Sequence, residues 1–194
     1  MIIVLTPERN FSGEADWINK LFGEGLDLLH IRKPFFKKED LVNYLNKIDE
    51  SFYSRIVLHA HYELGEQYGI SRFHFREQDR LDKVHQLYIH NVLSTSVHDI
   101  YSYNTLNKEW EYAFLSPFFL SISKQGYGLD SKLSDTLEQK NNQQVKLIAL
   151  GGLDEKTIVS IKDKNVDGVA LLGAIWQNDN PLSAFKKIKR AFEN

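Results

Sequence analysis

The sequence predicts an α/β fold, a compact (β/α)8 barrel of the TIM type in which some helices are short or missing. Eight short apolar runs alternate with amphipathic stretches along the 194 residues, which is typical of parallel βαβ units. The apolar runs are continuous rather than alternating, as expected of a sheet that is buried on both faces. The competing architecture, a doubly wound open sheet, is disfavoured because residues 6–9 after the first strand contain no glycine for a phosphate loop.

The first half of the chain is predicted to supply four strands. They cover residues 2–5, 26–31, 55–58 and 72–75. Amphipathic periodicity predicts helices over 16–22, 38–48 and 62–68, and Gly23 and Gly69 end the first and the third. Residues 81–91 are ambiguous and hold a short helix or a loop. Because 194 residues is slightly fewer than the ~200 typical of the smallest such barrels, several helices are expected to be short or missing, above all after the fourth strand.

The second half is predicted to supply the other four strands. They cover residues 92–97, 111–115, 146–150 and 168–172. Helices are predicted over 100–107, 154–162 and 182–192, and Asn180 and Pro181 form a helix-start signal before the last. The polar stretch 121–146 fits a loop after strand six and a helix, so the prediction is a single domain over residues 1–194.

Composition excludes several classes of function. With 24 basic and 26 acidic residues the net charge is -2, too balanced for a general nucleic-acid binder. The absence of cysteine excludes disulfides, thiolate catalysis and sulfur-bound metals. No apolar run reaches 18 residues and no basic leader precedes an apolar core, which predicts a cytoplasmic protein with no membrane partner. The oligomeric state is left open, a homo-oligomer included.

Histidines are concentrated at the predicted strand ends, where barrels of this type have their active sites. Five of the seven lie in a predicted strand or just beyond one, namely His30, His59, His61, His74 and His98. The alternative is that their rings are satisfied by backbone groups near a wet barrel mouth. Alternation along a strand would place His59 and His61 on one face, at the spacing of metal ligands. A metallohydrolase also needs a carboxylate on a later strand. The last strand ends in Leu171, Leu172 and Gly173, none of which carries a carboxylate, and this argues against a metallohydrolase.

Glycines predict a phosphate site. Gly151 and Gly152 directly follow strand seven, and Gly173 follows Leu172 at the end of strand eight. Loops after these two strands form the recurrent phosphate site of such barrels, where glycine lets backbone N–H groups approach the anion. The alternative is that these are tight-turn glycines only.

Six motifs in order resemble a known family. They are LHIRK at 29–33, HFREQD at 74–79, STSVHD at 94–99, LSPFFLSISKQGYG at 115–128, ALGGL at 149–153 and DGVALLGAIW at 167–176. Together they resemble the thiamine phosphate synthase and TenI family of (β/α)8 barrels over almost the whole chain. The resemblance implies a substrate that contains a thiazole phosphate.

The resemblance also implies roles for single residues. In the family, a pattern of residues after strand two binds a diphosphate. In this chain its positions fall on His30 and Arg32, and Pro34 stands where the family has a lysine, with Lys33 displaced by one residue. The Asn–Asp pair of the family falls on His59 and Ala60, so one magnesium-binding carboxylate is absent. The remaining substrate-binding and metal positions of the family correspond to Asp79 (metal), Ser96, Ser121, Ser123 and Lys124.

These departures favour the TenI branch, a thiazole tautomerase, over the synthase. A tautomerase needs a general acid/base and a phosphate anchor but no metal, and the resemblance gives the acid/base role to His98. The first alternative is a divergent thiamine phosphate synthase that uses Mg²⁺ with Arg32, Lys33, Asp79 and Lys124 to take the charge of the departing diphosphate. The second is a non-catalytic barrel that binds a phosphate of this pathway.

Overall fold

The computed structural model describes residues 1–120, 128, 131, 133–161 and 164–193. Within these residues, eight parallel strands pair in sequence order and close into a barrel, as the apolar pattern predicts. The strands are β1 (Ile2–Leu5), β2 (Leu28–Ile31), β3 (Ile56–Leu58), β4 (Arg72–Phe75), β5 (Val92–Val97), β6 (Trp110–Leu115), β7 (Lys146–Leu150) and β8 (Gly168–Leu171). β1 pairs with both β2 and β8, which completes the ring.

The helices surround the barrel, and many are short, as expected for a chain of this length. They are α1 (Glu14–Gly23), α2 (Lys38–Leu45), α3 (Leu64–Tyr68), α4 (Glu77–Leu81), α5 (Ile100–Asn104), α6 (Leu133–Thr136), α7 (Gly173–Trp176) and α8 (Pro181–Glu193). Four 3₁₀ segments in the described residues cover Glu50–Arg55, Val84–Tyr88, Leu137–Gln139 and Ile158–Ser160. Among the described residues, no helix has the length and apolar character needed to cross a bilayer.

After β4 the structure has only short helical segments, as expected, whereas after β7 the described residues hold less helix than expected. The ambiguous stretch 81–91 contains the 3₁₀ segment Val84–Tyr88, and α4 precedes it directly after β4. The helix predicted over 154–162 is reduced, in the part that is described, to the 3₁₀ turn Ile158–Ser160. The Asp154 carboxylate accepts hydrogen bonds from the backbone N–H groups of Lys156 and Thr157, the contacts of a helix N-cap, so helical structure begins at the predicted residue but extends less far than expected.

The inside of the barrel is divided into an apolar and a polar part. The apolar part is a cluster separate from the larger core between strands and helices; it contains Ile3, Leu5, Leu28, Val57, Tyr112, Phe114, Ile148 and Ala170. On β2, β4 and β5 the inner positions carry polar residues, namely His30, His74 and Ser94, all of them buried. Polar interior positions are costly unless they are hydrogen-bonded, so this side of the barrel requires an explanation.

Candidate active site

A cavity of about 400 Å³ opens at the carboxyl ends of the strands, a size typical of sites for small molecules. Of the residues predicted for the site, the cavity brings together Arg32, His59, Ser96, His98, Gly151, Gly152, Leu172 and Gly173. Leu5, Phe114, Leu150 and Ala170 add an apolar wall. Six loops and strands therefore bring the predicted residues together at one cavity, as expected for residues at strand ends. The roles of these residues remain predictions.

His98 lies at the end of β5 with one ring nitrogen fixed and the other available. Its Nδ1 is 2.8 Å from the backbone carbonyl of Ser116. A carbonyl can only accept, so Nδ1–H donates, and in the neutral ring Nε2 then carries the lone pair. The side chain is exposed and lines the cavity. This arrangement gives His98 one nitrogen that can take a proton from a bound ligand and return it.

Beneath the cavity His30 connects two other side chains inside the barrel. Its Nδ1 is 2.9 Å from Nε2 of His59, and its Nε2 is 2.7 Å from the Tyr112 hydroxyl. Both ring nitrogens of His30 are therefore satisfied without water. His30, predicted to bind substrate, lies below His59 and outside the cavity lining.

His74 belongs to the same polar layer. Its Nδ1 and Nε2 are each 2.9 Å from a serine hydroxyl, Ser94 on one side and Ser96 on the other. His74 and Ser96 both line the cavity, whereas Ser94 is buried below it. The histidine thus links the cavity to the barrel interior.

Burial lowers the pKa of all three interior imidazoles. Desolvation, with a smaller effect of Arg32, lowers the pKa of His74 to about 3. The pKa of His30 and that of His59 lie well below the usual value, first because of burial and then because of His74. At neutral pH each ring is therefore uncharged, with one N–H group and one lone pair.

Two guanidinium groups line the cavity, each beside a carboxylate. Arg32 Nη1 is 2.5 Å from Glu8 Oε1. Arg76 holds both oxygens of Asp79 through Nε at 3.0 Å and Nη2 at 3.1 Å. These arginines place positive charge on the β2 and β4 side of the cavity, opposite the glycine loops after β7 and β8.

The donor set does not fit Mg²⁺, which the synthase interpretation requires. Mg²⁺ takes oxygen ligands, usually one or two carboxylates together with substrate phosphates. Both oxygens of Asp79 are engaged by Arg76, and the neighbouring position after β3 is Ala60. Glu77 lines the cavity, but within the described residues no group of three possible ligands includes a carboxylate.

Lys33 does not join the cavity, in contrast to its predicted role. Its ammonium is buried behind β2, 2.7 Å and 2.9 Å from the two carboxylate oxygens of Glu14 at the start of α1. The Tyr44 hydroxyl from α2 donates to the same carboxylate at 2.5 Å. Both residues follow the end of β2 at Ile31, where Arg32 lines the cavity and Lys33 lies on the helix side of the barrel.

We expect Lys33→Met to reduce the free energy of unfolding by about 3–5 kcal/mol, because it leaves the Glu14 carboxylate buried without its cation. Urea unfolding measures this change. Lys38→Met is the control, since Lys38 makes a half-exposed pair with Glu63, worth at most about 1 kcal/mol. Loss of phosphate binding at unchanged stability would instead support the predicted substrate contact of Lys33.

His61 does not pair with His59. β3 ends at Leu58, and His61 adopts a positive φ of 53°, so the alternation of a strand no longer applies. The His61 ring turns outward and donates from Nε2 to the carbonyl of Phe36 at 3.0 Å. The metal-ligand spacing of the sequence is therefore not realised; His59 is instead grouped with His30 and His74.

Some site positions were not predicted from the sequence, and three predicted ones cannot be placed. Ser121, Ser123 and Lys124 lie outside the described residues. Arg76 and Gln78 line the cavity directly after β4, and the strand-end rule could have identified them. Ser116 likewise directly follows β6, whereas Phe114 lies within an apolar run, where an aromatic residue cannot be distinguished from a packing residue.

Comparison with known proteins agrees with the fold and the motifs. A family model described as thiamine monophosphate synthase matches residues 2–175. A thiamine phosphate pyrophosphorylase from Bacteroides thetaiotaomicron has a TM-score of 0.79 at 26% identity, covering 99% of this chain and 97% of that one. A thiamine phosphate pyrophosphorylase from Pyrococcus furiosus has 0.81 at 12% identity, covering 99% and 95%, which shows the fold alone. No curated protein sequence matches the chain.

Proposed function

Because this chain belongs to the thiamine monophosphate synthase family, we propose that it acts on a thiazole phosphate as a TenI-type thiazole tautomerase. In this reaction a proton leaves one position of a thiazole carboxylate phosphate. The electron pair of the broken bond enters the ring, a proton returns at another position, and the ring becomes aromatic. The chemistry requires a general acid/base and an anchor for the phosphate.

The observation that carries this proposal is the orientation of His98. Its Nδ1–H is held by the Ser116 carbonyl, so Nε2 is the nitrogen free to exchange a proton within the cavity. Histidine suits proton transfer near neutral pH. The fixed ring also means that little conformational freedom is lost when the substrate binds. His98 therefore acts first as base and then as acid.

The glycine loops support binding of the phosphate at the opposite side from the arginines. Gly151 and Gly152 adopt φ values of 106° and 67°, which side-chain-bearing residues rarely do. A Cβ on Gly152 would clash with the Leu120 carbonyl oxygen. Only glycine therefore allows this loop to pack so closely against the chain after β6. Together with Leu172 and Gly173 these residues leave backbone groups at the cavity wall, while Arg32 and Arg76 attract the carboxylate of the same substrate.

The alternative activity, a divergent thiamine phosphate synthase, is supported by the family and by the retained Arg32. Ionisation of a pyrimidine diphosphate requires Mg²⁺ to take the charge of the departing diphosphate. The engagement of Asp79 by Arg76 and the presence of Ala60 argue against that metal site. We therefore propose metal-independent isomerisation as the activity.

The test is incubation of the purified protein with each candidate substrate, with and without Mg²⁺. We expect conversion of the thiazole carboxylate phosphate tautomer in the presence of a chelator. Magnesium-dependent condensation of pyrimidine diphosphate with thiazole phosphate, with release of diphosphate, would favour the synthase. Binding of thiazole phosphate without either turnover would favour a non-catalytic barrel.

We expect Gly173→Asp to lower the affinity for thiazole phosphate by more than about 100-fold. Gly173 is buried in the cavity wall at the start of α7, so the new side chain would occupy the anion site. A carboxylate about 4 Å from a phosphate also costs several kcal/mol at an effective dielectric constant of about 20. Isothermal titration calorimetry measures the affinity.

The matched control is Gly23→Asp, the same substitution at an exposed glycine where a Cβ meets nothing within 4 Å. This variant should bind like the unmodified protein. Equal affinity in a folded Gly173→Asp protein would show that the phosphate binds elsewhere.

A further inference from the structure

Three imidazoles meet inside the barrel below the active-site cavity, and acid/base chemistry at His98 makes no use of them. We define the histidine cluster as His30 of β2, His59 after β3 and His74 of β4. One ligand nitrogen from each lies within 4.8 Å of the other two. His30 and His74 are almost completely buried, at 0% and 2% exposure.

Packing alone does not account for this cluster. The inner layers of such barrels are filled mainly by branched apolar residues, and the β1, β7 and β8 side of this barrel follows that rule. Phe114 packs on the rings of His30 and His74 at 4.7 Å and 4.8 Å between centroids, so the cluster lies in an otherwise apolar layer. Hydrogen bonds to Tyr112, Ser94 and Ser96 satisfy the rings of His30 and His74 in this layer, and the cluster holds three possible ligand nitrogens together.

The geometry is close to that of a three-histidine metal site. Zinc–nitrogen bonds of about 2.0–2.1 Å at a tetrahedral angle place ligand nitrogens ~3.3 Å apart. Nδ1 of His30 and Nε2 of His59 are 2.9 Å apart, so the two rings need to move apart only slightly for both atoms to bind one ion. The His59 and His74 rings are inclined by 24° with centroids 4.4 Å apart, and binding requires the His74 ring to tilt and release Ser96.

The outer contacts of the rings resemble those that orient metal ligands. His30 keeps its Nε2 on the Tyr112 hydroxyl, and His74 keeps its Nδ1 on the Ser94 hydroxyl. Hydrogen bonds of this kind fix the orientation of metal-bound histidines. Burial lowers the pKa of the three rings and so keeps them uncharged. The proton between His30 Nδ1 and His59 Nε2 must move to the other nitrogen of its ring before both atoms can bind one ion.

We propose that the histidine cluster binds one divalent transition-metal ion of the Zn²⁺ class at the floor of the cavity. Three imidazole nitrogens suit Zn²⁺, Co²⁺ and Ni²⁺, whereas Mg²⁺ requires oxygen ligands. His59 and His74 line the cavity, so an ion held by the three rings would border it. The nearby Arg32 and Arg76 are each paired with a carboxylate, Glu8 and Asp79, which reduces their repulsion of the ion.

The test measures binding of the metal alone to the complete chain, purified without a polyhistidine tag and stripped with a chelator. We expect calorimetry to give one tight Zn²⁺ site per chain and no comparable Mg²⁺ site. Co²⁺ should produce the visible absorption of a tetrahedral ion, a readout that needs neither a variant nor a substrate. Failure of tautomerase activity would leave this result unchanged, so the two proposals can fail separately.

Variants locate the ion. His74→Ala should weaken Zn²⁺ binding by more than about 100-fold, and Tyr112→Phe, which removes an outer contact, by about 10–100-fold. His61→Ala is the matched control, because His61 is near in sequence but turned outward, and it should bind Zn²⁺ normally. Circular dichroism checks that each variant is folded. Equal binding by His74→Ala, absence of a tight site, or loss in His61→Ala would overturn the proposal and leave the cluster a metal-free hydrogen-bonded network.

Discussion

Replacing His98 by Asn should lower the rate of thiazole tautomerisation by about 10²–10⁴-fold, the usual contribution of a positioned acid/base. Asparagine keeps part of the size and one hydrogen bond to the Ser116 carbonyl, but it cannot take up a proton. The glycine loops that hold the phosphate are untouched. The loss should therefore appear in kcat, while the affinity for thiazole phosphate is retained.

The control is His90→Asn, which makes the same change at an exposed histidine outside the cavity lining. Its kcat and thiazole phosphate affinity should equal those of the unmodified protein. Tautomerisation that is indifferent to His98 would remove this residue from the mechanism. If the unmodified protein also condensed the two synthase substrates efficiently with Mg²⁺, the synthase would become the better assignment.

The fold could be predicted because its determinants are local and repeated. Continuous apolar runs such as Ile2–Leu5 and Ile56–Leu58 mark strands that are buried on both faces, and eight strands in alternation with helices leave few topologies. The ordered motifs then indicated the family, which the family match confirms. The helix predicted over 154–162 was wrong in its described part, which holds only the 3₁₀ turn Ile158–Ser160 after the N-cap contacts of Asp154.

The site was predictable only in part, since strand ends are visible in a sequence whereas side-chain directions are not. The residues that directly end a strand, such as His98 after β5, lie at the cavity as expected. For residues further along the chain from a strand end, the prediction that they line the cavity fails. Lys33 faces the helices, and His61 turns outward after the chain has left the strand. The grouping of His30 with His59 and His74 depends on register between three strands, which no local pattern reveals.

The interior histidines should make stability strongly dependent on pH. In the folded protein His74 has a pKa of about 3, whereas an unfolded chain takes up that proton near pH 6.5. Below pH 6.5 the unfolded state therefore binds more protons, and the free energy of unfolding falls as the pH is lowered. For His74 alone the loss between pH 7 and pH 5 is about 2 kcal/mol.

The pKa values of His30 and His59 are lowered in the same direction, chiefly by burial, and add to this effect. The loss is therefore larger than that of His74 alone, in a domain whose total stability is typically about 5–15 kcal/mol. Urea unfolding at pH 7, 6 and 5, in a chelator so that the protein is metal-free, measures the slope.

His74→Asn should reduce that slope by about one proton, or roughly 1.4 kcal/mol per pH unit below pH 6. The asparagine can still hydrogen-bond to one of the two serines. Because the slope compares the variant with itself at each pH, a loss of stability that is the same at every pH does not affect it. The same substitution at the exposed His90 controls for removal of a histidine as such. A slope in His74→Asn equal to that of the unmodified protein would mean that the His74 ring takes up its proton at the same pH in the folded and unfolded states, and the cluster would then be charged below about pH 6.5.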